Sequence, residues 1–174
     1  MSRIDYDLTK IRGFVFDVDG VLSPSTIPMG HDGQPMRMAN IKDGYALQLA
    51  IRLGYRIALI TGGYSEAIRN RFSDLNITDV YMRVSEKVPV LQNWMRMNNF
   101  SFEEVVYVGD DIPDSKCMQL VGLSVAPKDA ATEIKEMATY VSPFDGGYGV
   151  ARDVVEQVLR ANGIWNNSEK AFGW

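Results

Sequence analysis

Short apolar runs alternate along this chain with longer stretches in which apolar residues recur every three or four positions. Runs of the first kind read as buried strands and stretches of the second as amphipathic helices. The pattern predicts strands at 13–16, 56–60, 79–82, 105–108, 123–126 and a short one near 140–141. Helices are predicted at 44–53, 65–75, 87–98, 113–120, 130–137 and 150–161, with Gly163 ending the last. Strands alternating with helices in this way make a parallel sheet covered on both faces, joined by right-handed crossovers. The expected fold class is therefore α/β, a doubly wound, Rossmann-like parallel sheet.

Two segments interrupt the alternation. Residues 22–40 carry Pro24, Pro28, Gly30, Gly33 and Pro35, and His31-Asp32-Gly33 suits a tight turn. This segment reads as a β-hairpin flap projecting from the end of the first strand. His31 is the only histidine and reads as a turn residue. The tail, residues 164–174, holds Trp165, Phe172 and Trp174 without periodicity and is expected either to fray or to dock onto another surface.

At 174 residues the chain suits a single domain, 1–174, with one substantial core. The 46% apolar and 23% charged residues describe an ordered globular protein. A net charge of −4 without any basic run argues against a nucleic-acid or acidic-membrane partner. Cys117 stands alone, so it has no internal disulfide partner; it is expected to be a buried helical thiol in a reducing compartment. No stretch approaches the ~18 apolar residues of a membrane span, and the first residues have no apolar signal core. A cytoplasmic location is expected.

The candidate chemistry lies at strand ends. The first strand runs directly into Asp17 and Asp19, two carboxylates one residue apart. Ligands of open α/β sheets bind at the carboxyl ends of the strands. Two such charges repel unless a cation joins them, and Mg²⁺, which favours carboxylate, phosphate and water oxygens, is the natural candidate. A calcium-binding helix-loop-helix loop would need an oxygen ligand at Val21 and glycine at Leu22, so that reading fails; a plain acidic turn survives.

Three further signals weigh against the plain turn. Thr61-Gly62-Gly63 follows the second strand and precedes a helix, offering a hydroxyl and backbone N–H groups to an anion. Gly109-Asp110-Asp111-Ile112-Pro113-Asp114 follows the fourth strand, and its acidic pair could complete a cation site with Asp17. Asp114 reads mainly as a helix cap. Lys87 opens a helix, where it opposes the dipole and has no obvious structural reason to be.

Asp-x-Asp, Thr, Lys and Gly-Asp-Asp, in that order, resemble the haloacid dehalogenase superfamily, most of whose members are Mg²⁺-dependent phosphatases. The resemblance implies that Asp17 attacks phosphorus to form an aspartyl-phosphate. It makes Asp19 the acid that protonates the leaving alcohol and then the base that activates water. Thr61 and Lys87 would hold the phosphoryl oxygens. Asp17, the Asp19 backbone carbonyl and Asp110 would ligate Mg²⁺, with Asp111 in support.

Thr61 follows Asp17 by 44 positions and Lys87 follows Thr61 by 26, which leaves no room for a cap domain. A neighbouring subunit is then expected to supply the wall that a reactive intermediate needs. The chain is most similar to the capless 3-deoxy-D-manno-octulosonate 8-phosphate phosphatases, through Asn40-Ile41-Lys42-Asp43-Gly44, the Gly109–Asp114 motif and Gly146-Gly147-Tyr148-Gly149. That family implies a homotetramer with its flaps packed centrally, acting in lipopolysaccharide synthesis. It implies substrate contacts at Asp19, Asn40, Ile41, Lys42, Asp43 and Gly44. Further contacts are implied at Gln48, Gly62, Gly63, Arg71, Lys87 and Asp111, with Arg71 suited to clamp a sugar-acid carboxylate. The resemblance also allows the tail to dock into a neighbour's site.

Relatives often carry arginine at the positions of Gln48 and Gly63, so two contacts are missing. The branch acting on 2-keto-3-deoxynononate 9-phosphate carries Glu at the Gly63 position and Lys at the Asp74 position. Neither is present, which favours the eight-carbon substrate over the nine-carbon one. A noncatalytic partner of a sugar-acid cytidylyltransferase is the reading from another class, and the complete set of carboxylates disfavours it.

Overall fold

The computed structural model describes residues 2–167 and 169–173. Six strands, β1 (Gly13–Phe16), β2 (Arg56–Ile60), β3 (Asp79–Tyr81), β4 (Val105–Val108), β5 (Leu123–Ala126) and β6 (Tyr140–Val141), form one sheet in the order β3-β2-β1-β4-β5-β6. Every pairing is parallel, and Phe16 lies level with Leu59 on one side and Val108 on the other. The chain winds outward from β1 through β2 to β3, then crosses back to β4 on the opposite flank of β1. The direction of winding thus reverses beside β1, where open α/β sheets place their ligands.

Alternate residues of the strands feed two cores, as the period of two requires. Phe14, Phe16, Ile57, Leu59, Val106 and Val108 pack under α1 (Ile41–Arg52), α2 (Glu66–Asp74) and α6 (Val150–Ala161). Val15, Ala58, Ile60, Val105 and Tyr107 pack under α3 (Lys87–Met97), α4 (Ser115–Leu120) and α5 (Thr132–Met137). Cys117 is buried in this second core and its thiol is pushed up to about 11 by burial, which suits a packed, unreactive group.

The elements follow the sequence reading with shifts that have local causes. α1 begins at Ile41, before the expected Gly44, because the Asn40 side chain accepts from the Lys42 and Asp43 amides and caps it. Residues 112–114 form a 3₁₀ turn ahead of a short α4. Between β1 and β2 the chain makes only the flap and α1, and no cap domain stands among the described residues.

The flap departs from its expected form. A single antiparallel bridge, Met29 to Pro35, joins its arms, with Gly30 N–H donating to Gln34 at 2.8 Å and Met36 N–H to Pro28 at 2.8 Å. Pro28 and Pro35 lack the N–H groups that would extend a ladder, so a turn forms without a two-stranded hairpin. The described part of the tail packs on its own chain. Trp165 is buried under the Arg152 guanidinium, 4.5 Å from its ring centroid, while Tyr45 donates to the Ala171 carbonyl and Arg52 to Gly173 at 2.6 Å. The expectation on Trp174 lies outside the described residues.

Candidate active site

The β1 chain leaves the sheet at Asp17, which is buried between β2 and β4. Its Oδ1 accepts from Val18 N–H at 2.6 Å, and its Oδ2 faces Lys87 Nζ at 3.0 Å. Gly20 turns the chain with φ of +82°, and a Cβ there would lie 1.9 Å from Asp110 Oδ2. Only glycine meets both demands, so the loop after β1 and the loop after β4 can touch.

Lys87, first residue of α3, is buried at the centre of the site and is held by Asp114 Oδ1 at 2.7 Å. Asp114 also accepts from Tyr107 OH at 2.8 Å and from Asp110 N–H at 3.1 Å, and its side chain caps no helix. The capping role read for Asp114 is therefore corrected: its carboxylate anchors the lysine and braces the Asp110 backbone. The isolated helix-start lysine has the same explanation, since two carboxylates outweigh both its burial and the dipole. Burial acts to lower the Lys87 pKa, but Asp17 and Asp114 raise it further, so the ammonium stays charged.

Asp17, Asp110 and Asp114 each bring a carboxylate oxygen within 4.8 Å of the others. Burial, reinforced by Asp114, pushes Asp17 up to about 7 against the pull of Lys87. Burial, then Asp17, Asp114 and Asp111, pushes Asp110 up to about 8. One ammonium does not balance three clustered carboxylates, two of them buried and Asp110 half-buried, and the Asp110 carboxylate accepts no hydrogen bond among the described residues. This donor set fits a hard divalent cation between Asp17 and Asp110.

Thr61 closes the far wall. Its Oγ1 accepts from Gly63 N–H at 3.1 Å, leaving the hydroxyl proton free, and Gly62 N–H has no acceptor among the described residues. The helix behind them begins at Glu66 with Ser65 as its cap, within one residue of the expected start. Asp17, Asp19, Thr61, Gly62, Gly63, Lys87, Asp110 and Asp111 surround one pocket of about 450 Å³, joined by Ser25, Ser85 and Asp114. Asp111 is exposed and its Oδ1 accepts from Ile112 N–H at 2.8 Å.

The other residues expected near the substrate lie outside that pocket's lining. Asn40 caps α1, and exposed Ile41 and Lys42 follow it. Asp43 is 2% exposed and points to the start of α6, accepting from Arg152 N–H at 2.7 Å. Gln48 is buried in α1. Arg71 packs over Gly44, where a Cβ would sit 2.7 Å from its Nη2, and it has no ion-pair partner among the described residues. Arg37, which no pattern singled out, forks Asp19 from the flap, Nε to Oδ1 at 2.6 Å and Nη2 to Oδ2 at 2.8 Å. Its only sequence signal is a lone cation between two exposed methionines, too slight to find it.

Comparison with known proteins gives the same picture. Residues 37–153 match the family described as haloacid dehalogenase-like hydrolase. The 3-deoxy-D-manno-octulosonate 8-phosphate phosphatase KdsC of Escherichia coli K12 is 37% identical over 154 residues, 88% of this chain and 82% of that one. The crystal structure of the Yersinia pestis 3-deoxy-D-manno-octulosonate 8-phosphate phosphatase superposes with a TM-score of 0.89 at 34% identity, covering 92% and 87% of the two chains. The Moraxella catarrhalis enzyme, solved with magnesium, phosphate and KDO, reaches a TM-score of 0.84 at 27% identity over 89% of each chain. With its four motifs at the switch point of a sheet that carries no cap, the chain belongs to the haloacid dehalogenase-like hydrolases, within their capless 3-deoxy-D-manno-octulosonate 8-phosphate phosphatase branch.

Proposed function

We propose that this protein hydrolyses 3-deoxy-D-manno-octulosonate 8-phosphate to the free sugar acid and inorganic phosphate, with Asp17 as nucleophile. The observation that carries this reading is Asp17 at the sheet's switch point, with Lys87 3.0 Å from one carboxylate oxygen and Asp110 beside it. Asp17 attacks phosphorus, Asp19 at the pocket rim gives its proton to the departing sugar oxygen, and an aspartyl-phosphate remains. Asp19, now a carboxylate, takes a proton from water as that water attacks phosphorus, and phosphate leaves with Asp17 regenerated. Lys87, the Thr61 hydroxyl and the Gly62 N–H group hold the non-bridging oxygens, on which the transition state places charge.

Mg²⁺ is the cofactor, held by Asp17, Asp110 and the Asp19 carbonyl, and it neutralises charge on the phosphoryl group. Asp114 serves Lys87, and Asp111 stands in support at the pocket mouth. Arg71, a half-buried guanidinium without an ion-pair partner among the described residues, suits the substrate's carboxylate. Gly44 gives it room, and Asn40 holds the turn beside it.

The protein acts as a homotetramer in the cytoplasm, in lipopolysaccharide precursor synthesis. Exposed Met29, Met36, Met38 and Ile41 on and beside the flap support the association, and among the described residues no helix is long and apolar enough to cross a membrane. The test measures phosphate release from the eight-carbon and nine-carbon 2-keto-3-deoxy sugar-acid phosphates, with Mg²⁺ and with a chelator. Mg²⁺-dependent preference for the eight-carbon substrate is expected. Preference for the nine-carbon one would overturn the specificity, and an intact Mg²⁺ site without turnover would favour a noncatalytic partner.

A further inference from the structure

The flap reaches the site through one side chain. Arg37 lies between Met36 and Met38, which are 53% and 46% exposed, yet its own side chain is only 7% exposed. All three guanidinium nitrogens have acceptors. Nε and Nη2 take the two oxygens of Asp19, and Nη1 donates to the Tyr64 carbonyl at 3.0 Å. One group therefore ties together the flap, the loop after β1 and the loop after β2.

The space it fills exists because residue 63 is glycine. A Cβ on Gly63 would lie 2.5 Å from Arg37 Nη2 and 3.1 Å from Asp19 Oδ2. The φ of Gly63 is not in the left-handed region, so the missing side chain matters here for room alone. A bidentate guanidinium fixes both the plane and the direction of a carboxylate, which a single ammonium does not.

Building on the phosphatase reading, we propose that Arg37 is a positioning residue for Asp19, delivered by the flap into the space that Gly63 leaves open. Asp19 has to serve twice on one face of the phosphoryl group, first giving a proton to the leaving oxygen and then taking one from water. A carboxylate has roughly four lone-pair sites, so the two that Arg37 occupies leave one on each oxygen for the proton that is given and then taken. Holding one orientation through both steps is the service the fork performs, and misplacement of a catalytic group by about 1 Å can cost on the order of a hundredfold in rate. Because the same guanidinium pins the flap to Tyr64, flap position and Asp19 orientation move together.

The test is a double-mutant cycle of Arg37→Ala and Gly63→Ala, assayed with Mg²⁺ on the sugar-acid phosphate and on an aryl phosphate. Arg37→Ala is expected to lower kcat by about tenfold or more on both substrates with KM changed little. Gly63→Ala crowds the guanidinium and is expected to lower kcat by a larger factor in the wild-type background than in the Arg37→Ala background, where only its contact with Asp19 remains. Arg37→Lys, with donors but no planar fork, is expected to fall between, and it carries the test if the alanine variant does not fold. An unchanged kcat in Arg37→Ala, a rise in KM confined to the sugar acid, or additive effects of the two substitutions would each overturn the proposal. Absence of turnover in the wild-type protein would remove the phosphatase reading and this role together, whereas full wild-type turnover with an indifferent Arg37→Ala would remove this role alone.

Discussion

Asp17 stands between two opposed neighbours, an ammonium that favours its charge and a carboxylate that disfavours it. Its replacement by Asn keeps the shape and removes the proposed nucleophile, so Asp17→Asn is expected to abolish phosphate release; substantial residual turnover in a phosphate assay would assign the attack elsewhere. Asp43 makes a different prediction, about stability. Burial raises it to about 6 from the ordinary 3.8, opposed by the Arg152 and Gly149 amides, and its Oδ2 has no hydrogen-bond partner. A raised carboxylate binds its proton more tightly in the folded chain, so its contribution is greatest below about pH 4 and is lost as pH rises through 6. Thermal melts should therefore show Asp43→Asn gaining on the wild type between pH 4 and pH 7. A constant difference across that range would place the Asp43 charge in solvent.

At the scale of elements, Gly146-Gly147 explains itself by contact with the loop after β1. A Cβ on Gly146 would lie 1.9 Å from the Gly20 carbonyl oxygen, and Gly147 N–H donates to Val21 at 2.8 Å. Gly146→Ala is expected to lower stability by about 1–3 kcal/mol through overpacking. It should also lower kcat, because Gly20 holds the turn that carries Asp19; a melt and an activity assay check both, and an unchanged kcat would uncouple the loops. The strands were legible because each is a short apolar run between polar segments, and β1, β2, β4 and β5 begin and end where that pattern changes. Asp17, Thr61 and Lys87 were legible because each directly follows a strand or opens a helix, and Asp110 because it lies two residues past the end of β4. Asp114 was misread for want of a partner: nothing local reveals that Lys87, 27 positions away, meets its carboxylate. Arg37 was missed for a related reason, since a guanidinium reaching across a loop leaves no periodic trace. The flap's arms pair at a single bridge rather than as a hairpin because two prolines removed donors that alternation alone does not count.

For the whole molecule, the segments after β1, β2, β3 and β4 line the pocket, and the flap adds Arg37 at its rim. Static light scattering at working concentrations is expected to show a tetramer. A fully active monomer would mean that one chain closes its own site. The apolar flap side chains and the Arg37 fork belong to one short segment, so association through the flap would be coupled to the orientation of Asp19. The protein's specific activity should then depend on its own concentration. Diluted below its assembly threshold, each chain would lose turnover before it loses fold, and activity would return on reconcentration without refolding.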